Sequence, residues 1–459
     1  MENILLYLEN LISGLLPLTF LVLAGIFFTY KTKALQFKKF FLSIKFSLSQ
    51  KNSTKNGISS FGAICNSLAA TVGTGNIAGV AAAISIGGAG AVFWMWVSAF
   101  FSMVIKAVEI TVAVMCRKKI GQEFLGGPMY YIKENLGKIG PILAAIFSLS
   151  CIFCNFTTGN ITQINACVSV ITKNSFLRFF IGVVFAVIVG VVIIGGARKI
   201  TKFTTTVLPL MAVLYILFCL GVIIKNISFL DDAFLSILNG AFNPTAVTGG
   251  AVGSVYTTVI TGAQKGIFSN EAGLGTSGLA HAIVHEAKPD TQYLFGIFEV
   301  FVDTLLICTL TALTILSSRV IIDYNSVASS ELVNSALALT YGDFSKPILS
   351  VMLCLFGLSS ILGWANYGIT ASRFLIGKIG EKIFIFIYPL FCIIGALLNV
   401  RLAFSIAEFF NGIMLIINTF AIICLSKNAI GFLKEQNNDK PNRKNTKSVR
   451  KNASGANFW

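Results

Sequence analysis

Charge is what this sequence has least of. Only 12% of its 459 residues are Asp, Glu, Lys or Arg, about half the 25% of an ordinary soluble domain. Hydrophobic residues make up 55%, and the mean hydropathy is +0.81. No soluble fold of this size can hide so much apolar surface, so lipid is the solvent for much of the chain. Histidine occurs twice. His281 and His285 share a helical face, but no thiol or carboxylate cluster completes a metal site around them, and they read as structural. H-E-x-x-H and G-x-S-x-G are both missing, which leaves an intramembrane enzyme without its motif. The ten cysteines are scattered. Cys151 and Cys154 form a C-x-x-C inside an apolar run, with no second pair, and read as small hydrophobic side chains. The opening MENILLYLEN has no basic segment and no small-residue cleavage pattern after its first apolar run. That run is expected to be a retained span rather than a signal peptide.

What is present is a series of apolar runs, each long enough to cross about 30 Å of hydrocarbon. They fall at 11–30, 60–86, 90–116, 139–172, 177–196, 203–224, 251–285, 291–317, 347–371, 383–399 and 403–425. Eleven spans are expected, in an all-α polytopic membrane protein. The runs 139–172 and 251–285 are too long for one straight crossing and imply tilt or an interruption. The net charge of +16 does not point to nucleic acid, because the basic residues gather in alternate loops. With the N-terminus outside, the inner segments hold 27 Lys and Arg and the outer ones six. That asymmetry predicts a cytoplasmic C-terminus in the cell membrane. The polar, basic tail over 427–459 is expected to be disordered.

Two of the runs are broken. GTGN, Gly73 to Asn76, interrupts the first, and GIFSNEAGLGTSG, Gly266 to Gly278, interrupts the second. Each opens a block of five spans, 60–225 and 251–426, with an extra N-terminal span and a cytoplasmic basic loop over 1–59 before them and an extracellular loop 226–250 between. An odd number of spans inverts the second block, and paired breaks in two such halves mark a transporter binding site. Irregular backbone at membrane depth must have its polar groups completed by protein, water or ligand. Freed amides at a half-helix N-terminus suit a carboxylate, and freed carbonyls suit a sodium ion. Small residues also permit close helix packing, but two matched breaks with asparagine and hydroxyl side chains favour a site.

VGTGNIAGVAAAI, GGAGAVFWMWVSAF, GGPMYYI, SNEAGLGTS…AHA, DTLLICTLTAL and SSILGW, in that order between residues 60 and 425, resemble the alanine or glycine:cation symporter family. The resemblance implies a five-plus-five inverted repeat of the bacterial leucine transporter type, with one extra N-terminal helix and two interrupted helices. Ala89, Asn366 and Ile369 depart from that family, which commonly has a proline, an aromatic and a glutamate there.

In that fold type the amides of Thr74 and Gly75 are expected to hold an amino acid carboxylate. Asn76 can face a cation or the substrate and can also cap the restarted half-helix. In the second break Phe268 is placed as a lid by position, or else packs in the core as most of the 40 phenylalanines do, with Ser269 and Asn270 as polar contacts. Ser359 and Ser360 are expected to close a sodium site with the carbonyls of Ala69 and Val72, or else to bond back to their own helix. Trp364, one turn past Ser360, would wall the pocket. Gln163 is a candidate substrate contact, and Asn165 can bridge helices. Lys106 and Glu109 at i,i+3 are expected to satisfy each other. Glu299 and Asp303 at i,i+4 need a cation, a proton or Lys265. Glu271, in the second break, can bind a coupling ion or join a structural network. The expected function is sodium-driven uptake of a small neutral amino acid, alanine or glycine. Proton coupling and, further off, an ion channel are the alternatives. The partners are the amino acid, sodium and the lipid bilayer, with no other cofactor.

Overall fold

The computed structural model describes Gly14 and residues 16–50, 58–120, 123–285, 287–324, 330–398 and 400–438. Apolar composition makes nearly all of this helical, and local polar signals set the helix ends. Ser59 accepts from the Gly62 amide (3.0 Å) at the start of α1 (Ser60–Thr71). Ser254 does the same from Thr257 (3.2 Å) at the start of α4 (Val255–Asn270). Pro289, at the first position of α6 (Pro289–Val300), lacks the amide that such an end leaves unbonded.

Among the described residues seven helices are long and apolar enough to cross a membrane, and eight if the pair Ser60–Thr71 and Gly75–Gly87, bent by 49°, forms one span. The remaining expected spans are shorter or divided. Leu16–Lys31 is a 16-residue helix. The run 251–285 divides into α4 and α5 (Thr276–Ala282). The run 383–399 begins inside α7 (Ser345–Ile387), which changes direction at Ile376–Gly377, and ends in Leu390–Leu397. Run 139–172 is one 35-residue helical stretch carrying a π turn at Thr157–Ile161.

The bundle is built around α2 (Ala91–Met115), whose most apolar window is 83% buried. It packs against α4, α5 and α6. Gly262 permits the approach of α4, since a β-carbon there would lie 2.2 Å from the Ala91 carbonyl oxygen. α3 (Ser175–Ile194) and the helix after it, Gly196–Lys225, are only 33% buried in the same sense and expose Phe176, Val191, Ile194, Leu210 and Leu217. Apolar side chains facing outward in this density belong against lipid.

The loops hold more structure than their composition suggests. Residues 226–250 contain helices Leu230–Phe242 and Pro244–Thr248. The basic segment after the first span contains Phe40–Leu48. The last helix, α8 (Val400–Asn438), runs on through residues 427–438, so the first part of the polar tail is helical. The rest of the tail lies outside the described residues. A short antiparallel hairpin, Lys118–Ile120 with Glu123–Leu125, follows α2. Arg117 donates to the Val284 and Ala287 carbonyls and lies 4.0 Å over the Phe124 ring, fastening the hairpin to the end of α5.

Candidate functional site

The first break begins at Val72 (ψ 86°), which ends α1, and restarts as a π turn at Gly75–Gly79. The backbone between is held from three sides. The Gly73 amide donates to Asn76 Oδ1 (2.9 Å). The Thr74 amide and hydroxyl both donate to Gln163 Oε1 (3.1 and 2.9 Å). Ser360 Oγ donates to the Ala69 carbonyl (3.0 Å). Gly73 sits where these elements meet, because a β-carbon on it would lie 2.4 Å from Ser360 Oγ and 2.9 Å from Gln163 Oε1. Gly75 is different. It is exposed, and a β-carbon there would meet nothing within 4 Å.

Ser359 Oγ is buried and has no hydrogen-bond partner among the described residues. Orphaned hydroxyls of this kind call for an explanation. The pair therefore fits a cation: one serine already touches a freed carbonyl of the break, and the other has an oxygen to give. A hard cation takes such oxygen donors.

The second break leaves α4 at Asn270 and restarts at Thr276. Three of its amides are held by side chains. Ala272 N donates to Asn270 Oδ1 (3.1 Å), and the Gly275 and Gly278 amides donate to the Glu109 carboxylate (3.3 and 2.9 Å). Asn418 completes Glu109 (3.1 Å) and accepts from Tyr131. A buried side-chain carboxylate thus fills the anion position of the second half-helix.

Asp303 joins the two breaks. Its carboxylate accepts from Asn76 Nδ2 (2.7 Å), Ser269 Oγ (2.8 Å) and Thr304 Oγ1 (2.8 Å). Asn270 bonds Thr304 Oγ1 in turn (3.2 Å). Trp364 is fully buried, edge-on to Tyr367 with centroids 5.6 Å apart, and lies against Gly159 in the π turn before Gln163. Phe268 stands apart from this group. It lines a narrow crevice with Leu18, Ile267 and Leu415, facing the first and last helices. Asn165 bridges helices through the Gly395 and Leu398 carbonyls (2.9 and 2.7 Å).

Three charge pairings differ from expectation. Lys106 bonds Glu299 (3.0 Å), not Glu109, because Glu109 turns to the second break. Lys265 pairs with Glu408 (3.2 Å) and reaches neither Glu299 nor Asp303. Those two acids also part company. The π turns beginning at Phe301 change the angular step, so Asp303 faces the breaks while Glu299 meets Lys106, Ser67 (2.8 Å) and His281 (2.7 Å).

Two discontinuous helices joined through the buried Asp303 carboxylate, with Ser360 tying α7 to the first of them, match the paired breaks of a secondary transporter. Comparison with known proteins agrees. The sodium:alanine symporter family matches residues 1–451. This chain belongs to that family. It is similar to the sodium/alanine symporter AgcS of Methanococcus maripaludis, at 35% identity over 91% of this chain and 93% of that protein. It is also similar to the "Probable sodium/glutamine symporter GlnT" of Bacillus subtilis, at 34% over 100% and 96%. The amino-acid carrier protein AlsT of the same organism is 33% identical over 90% and 87%. A family member is a cation-coupled amino acid transporter and an integral multi-pass membrane protein, not an enzyme. The sequence pairs Glu109 with Lys106 and Asp303 with a cation, a proton or Lys265, whereas the structure gives Glu109 the second-break amides and Asn418, and Asp303 the donors Asn76, Ser269 and Thr304. The sequence does not single out Asn418 or Tyr131, and the one signal it carries is the polar Asn418 side chain inside an apolar run.

Proposed function

We propose that this symporter couples inward sodium flow to uptake of a small neutral amino acid, alanine or glycine, by alternating access on a five-plus-five inverted repeat. The observation that carries the reading is the convergence at Gly73. There the first break, Gln163 and Ser360 meet without room for a β-carbon. The substrate carboxylate sits on the amide side of that break, at Thr74 and the exposed Gly75, with Asn76, Gln163, Ser269 and Asn270 completing the polar surround. Sodium sits on its carbonyl side, with Ala69, Val72, Ser359 and Ser360. Asp303 provides negative charge between the two breaks. The N-terminus lies outside and the C-terminus in the cytoplasm, as the distribution of 27 basic residues against six supports. The relative named for alanine supports the substrate size.

Purified protein in proteoliposomes should concentrate labelled alanine under an inward sodium gradient and not without one. Equal uptake in both conditions removes sodium coupling. Replacing Ser359 and Ser360 together with alanine should raise the sodium concentration for half-maximal uptake by roughly tenfold, equivalent to about 1.4 kcal/mol of lost ion binding. An unchanged sodium requirement removes the serine assignment.

Size selection then falls to the walls, and Trp364 is the large one in place. One methylene in a tight apolar pocket shifts discrimination by about 1–3 kcal/mol. Trp364→Ala should therefore let leucine compete against labelled alanine while weakening alanine itself. Identical leucine competition in wild type and variant means that Trp364 does not line the site.

A further inference from the structure

Four carboxylates are buried among the described residues: Glu109, Glu271, Glu299 and Asp303. Three are complete. Glu109 accepts from two amides and Asn418, Glu299 from Lys106, Ser67 and His281, and Asp303 from Asn76, Ser269 and Thr304. Glu271 alone has a buried oxygen, Oε2, with no hydrogen-bond partner among the described residues. Its side chain is 3% exposed. The Thr276 hydroxyl and the Trp364 indole N–H turn to this carboxylate and have no other partner among the described residues. These are neutral donors. They can share in a carboxylate's hydrogen bonding, but they do not supply its missing counter-charge. The cation within its field, Lys106, is bonded to Glu299.

The backbone says the carboxyl is there for a purpose other than helix termination. Glu271 holds φ +57° in the left-handed region, and its amide closes the last turn of α4 on the Ile267 carbonyl (2.8 Å). Glycine is the usual occupant of such a position, and a side chain there costs roughly 1–2 kcal/mol. The chain accepts that cost beside Trp364.

We propose that Glu271 receives the ammonium group of the transported amino acid. A zwitterion brings both charges to the site. The first break answers its carboxylate, and in the second Glu109 holds the Gly275 and Gly278 amides. An ammonium offers three donors and a full positive charge, which is what Glu271 lacks. With the two ends held from opposite breaks, the substrate joins the half-helices that must move together. The proposal rests on amino acid uptake as the function, and names the group that reads the amine.

The test is competition against sodium-driven labelled alanine uptake in proteoliposomes, using alanine, lactate and propionate. The last two keep the carboxylate and lack the ammonium. In wild type they should fail to compete. Glu271→Gln should raise the alanine concentration for half-maximal uptake by about thirtyfold or more, and should narrow the preference for alanine over lactate. Glu271→Asp, which keeps the charge, should keep the preference. Competition by lactate equal to that by alanine in wild type overturns the proposal, and needs no variant to fold. A Glu271→Gln protein that needs more sodium but still rejects lactate also overturns it, and gives the carboxylate to the ion. Absence of any sodium-driven alanine uptake in wild type would instead sink the functional reading beneath it.

Discussion

Alanine at Gly73 is expected to abolish sodium-driven uptake, although it adds a single methyl group. A β-carbon there would stand 2.4 Å from Ser360 Oγ and 2.9 Å from Gln163 Oε1. Neither neighbour is a free side chain. Ser360 is tied to the Ala69 carbonyl and Gln163 to Thr74. The new methyl must push both, and overpacking of this kind costs about 1–3 kcal/mol. The cost falls on the serine pair and the amide-lined break at once, so transport suffers more than folding. Gly79→Ala, in the π turn of the same half-helix, is the control, because a β-carbon there meets nothing within 4 Å. Uptake and monodispersity should be measured on both. A Gly73→Ala protein that transports like wild type means the break is looser than its contacts indicate.

Removing the charge of Glu299 should destabilise the protein more than any other single polar change. Lys106 is 1% exposed, and its ammonium is bonded to Glu299 at 3.0 Å. Glu299→Gln leaves that ammonium buried without a counter-ion, at a cost of about 3–5 kcal/mol. The same step weakens the hydrogen bonds from Ser67 on α1 and His281 on α5, so the halves of both broken helices loosen together. Lys106→Met combined with Glu299→Gln removes both charges and should recover most of the loss. Thermal unfolding of the purified protein in detergent reads this directly. Equal midpoints for Glu299→Gln and wild type would show that the network is held by shape and not by charge.

Sequence alone determined the membrane class, most of the helices and the places where two of them break. Those features depend on local composition: length of apolar run, glycine content, capping serines and the side on which lysines fall. It also brought Thr74, Asn76, Gln163, Ser269 and Ser360 to notice, because polar side chains inside apolar runs are costly wherever they point. Partners were another matter. Lys106 and Glu109 stand three residues apart in the chain, yet Lys106 reaches 193 residues on to Glu299 and Glu109 reaches 169 residues on to the Gly278 amide. Glu299 and Asp303 read as one helical face until a π turn separated them. Phe268 sits beside the second break in sequence and faces the outer helices in space. Only the tertiary structure decided these, because helical periodicity reports which residues share a face of one helix. It does not report which other helix that face will meet. Buried charge is settled by the nearest complementary group across such a contact, so the partners of Glu109, Glu299 and Asp303, and the open oxygen of Glu271, exist only once the bundle is assembled.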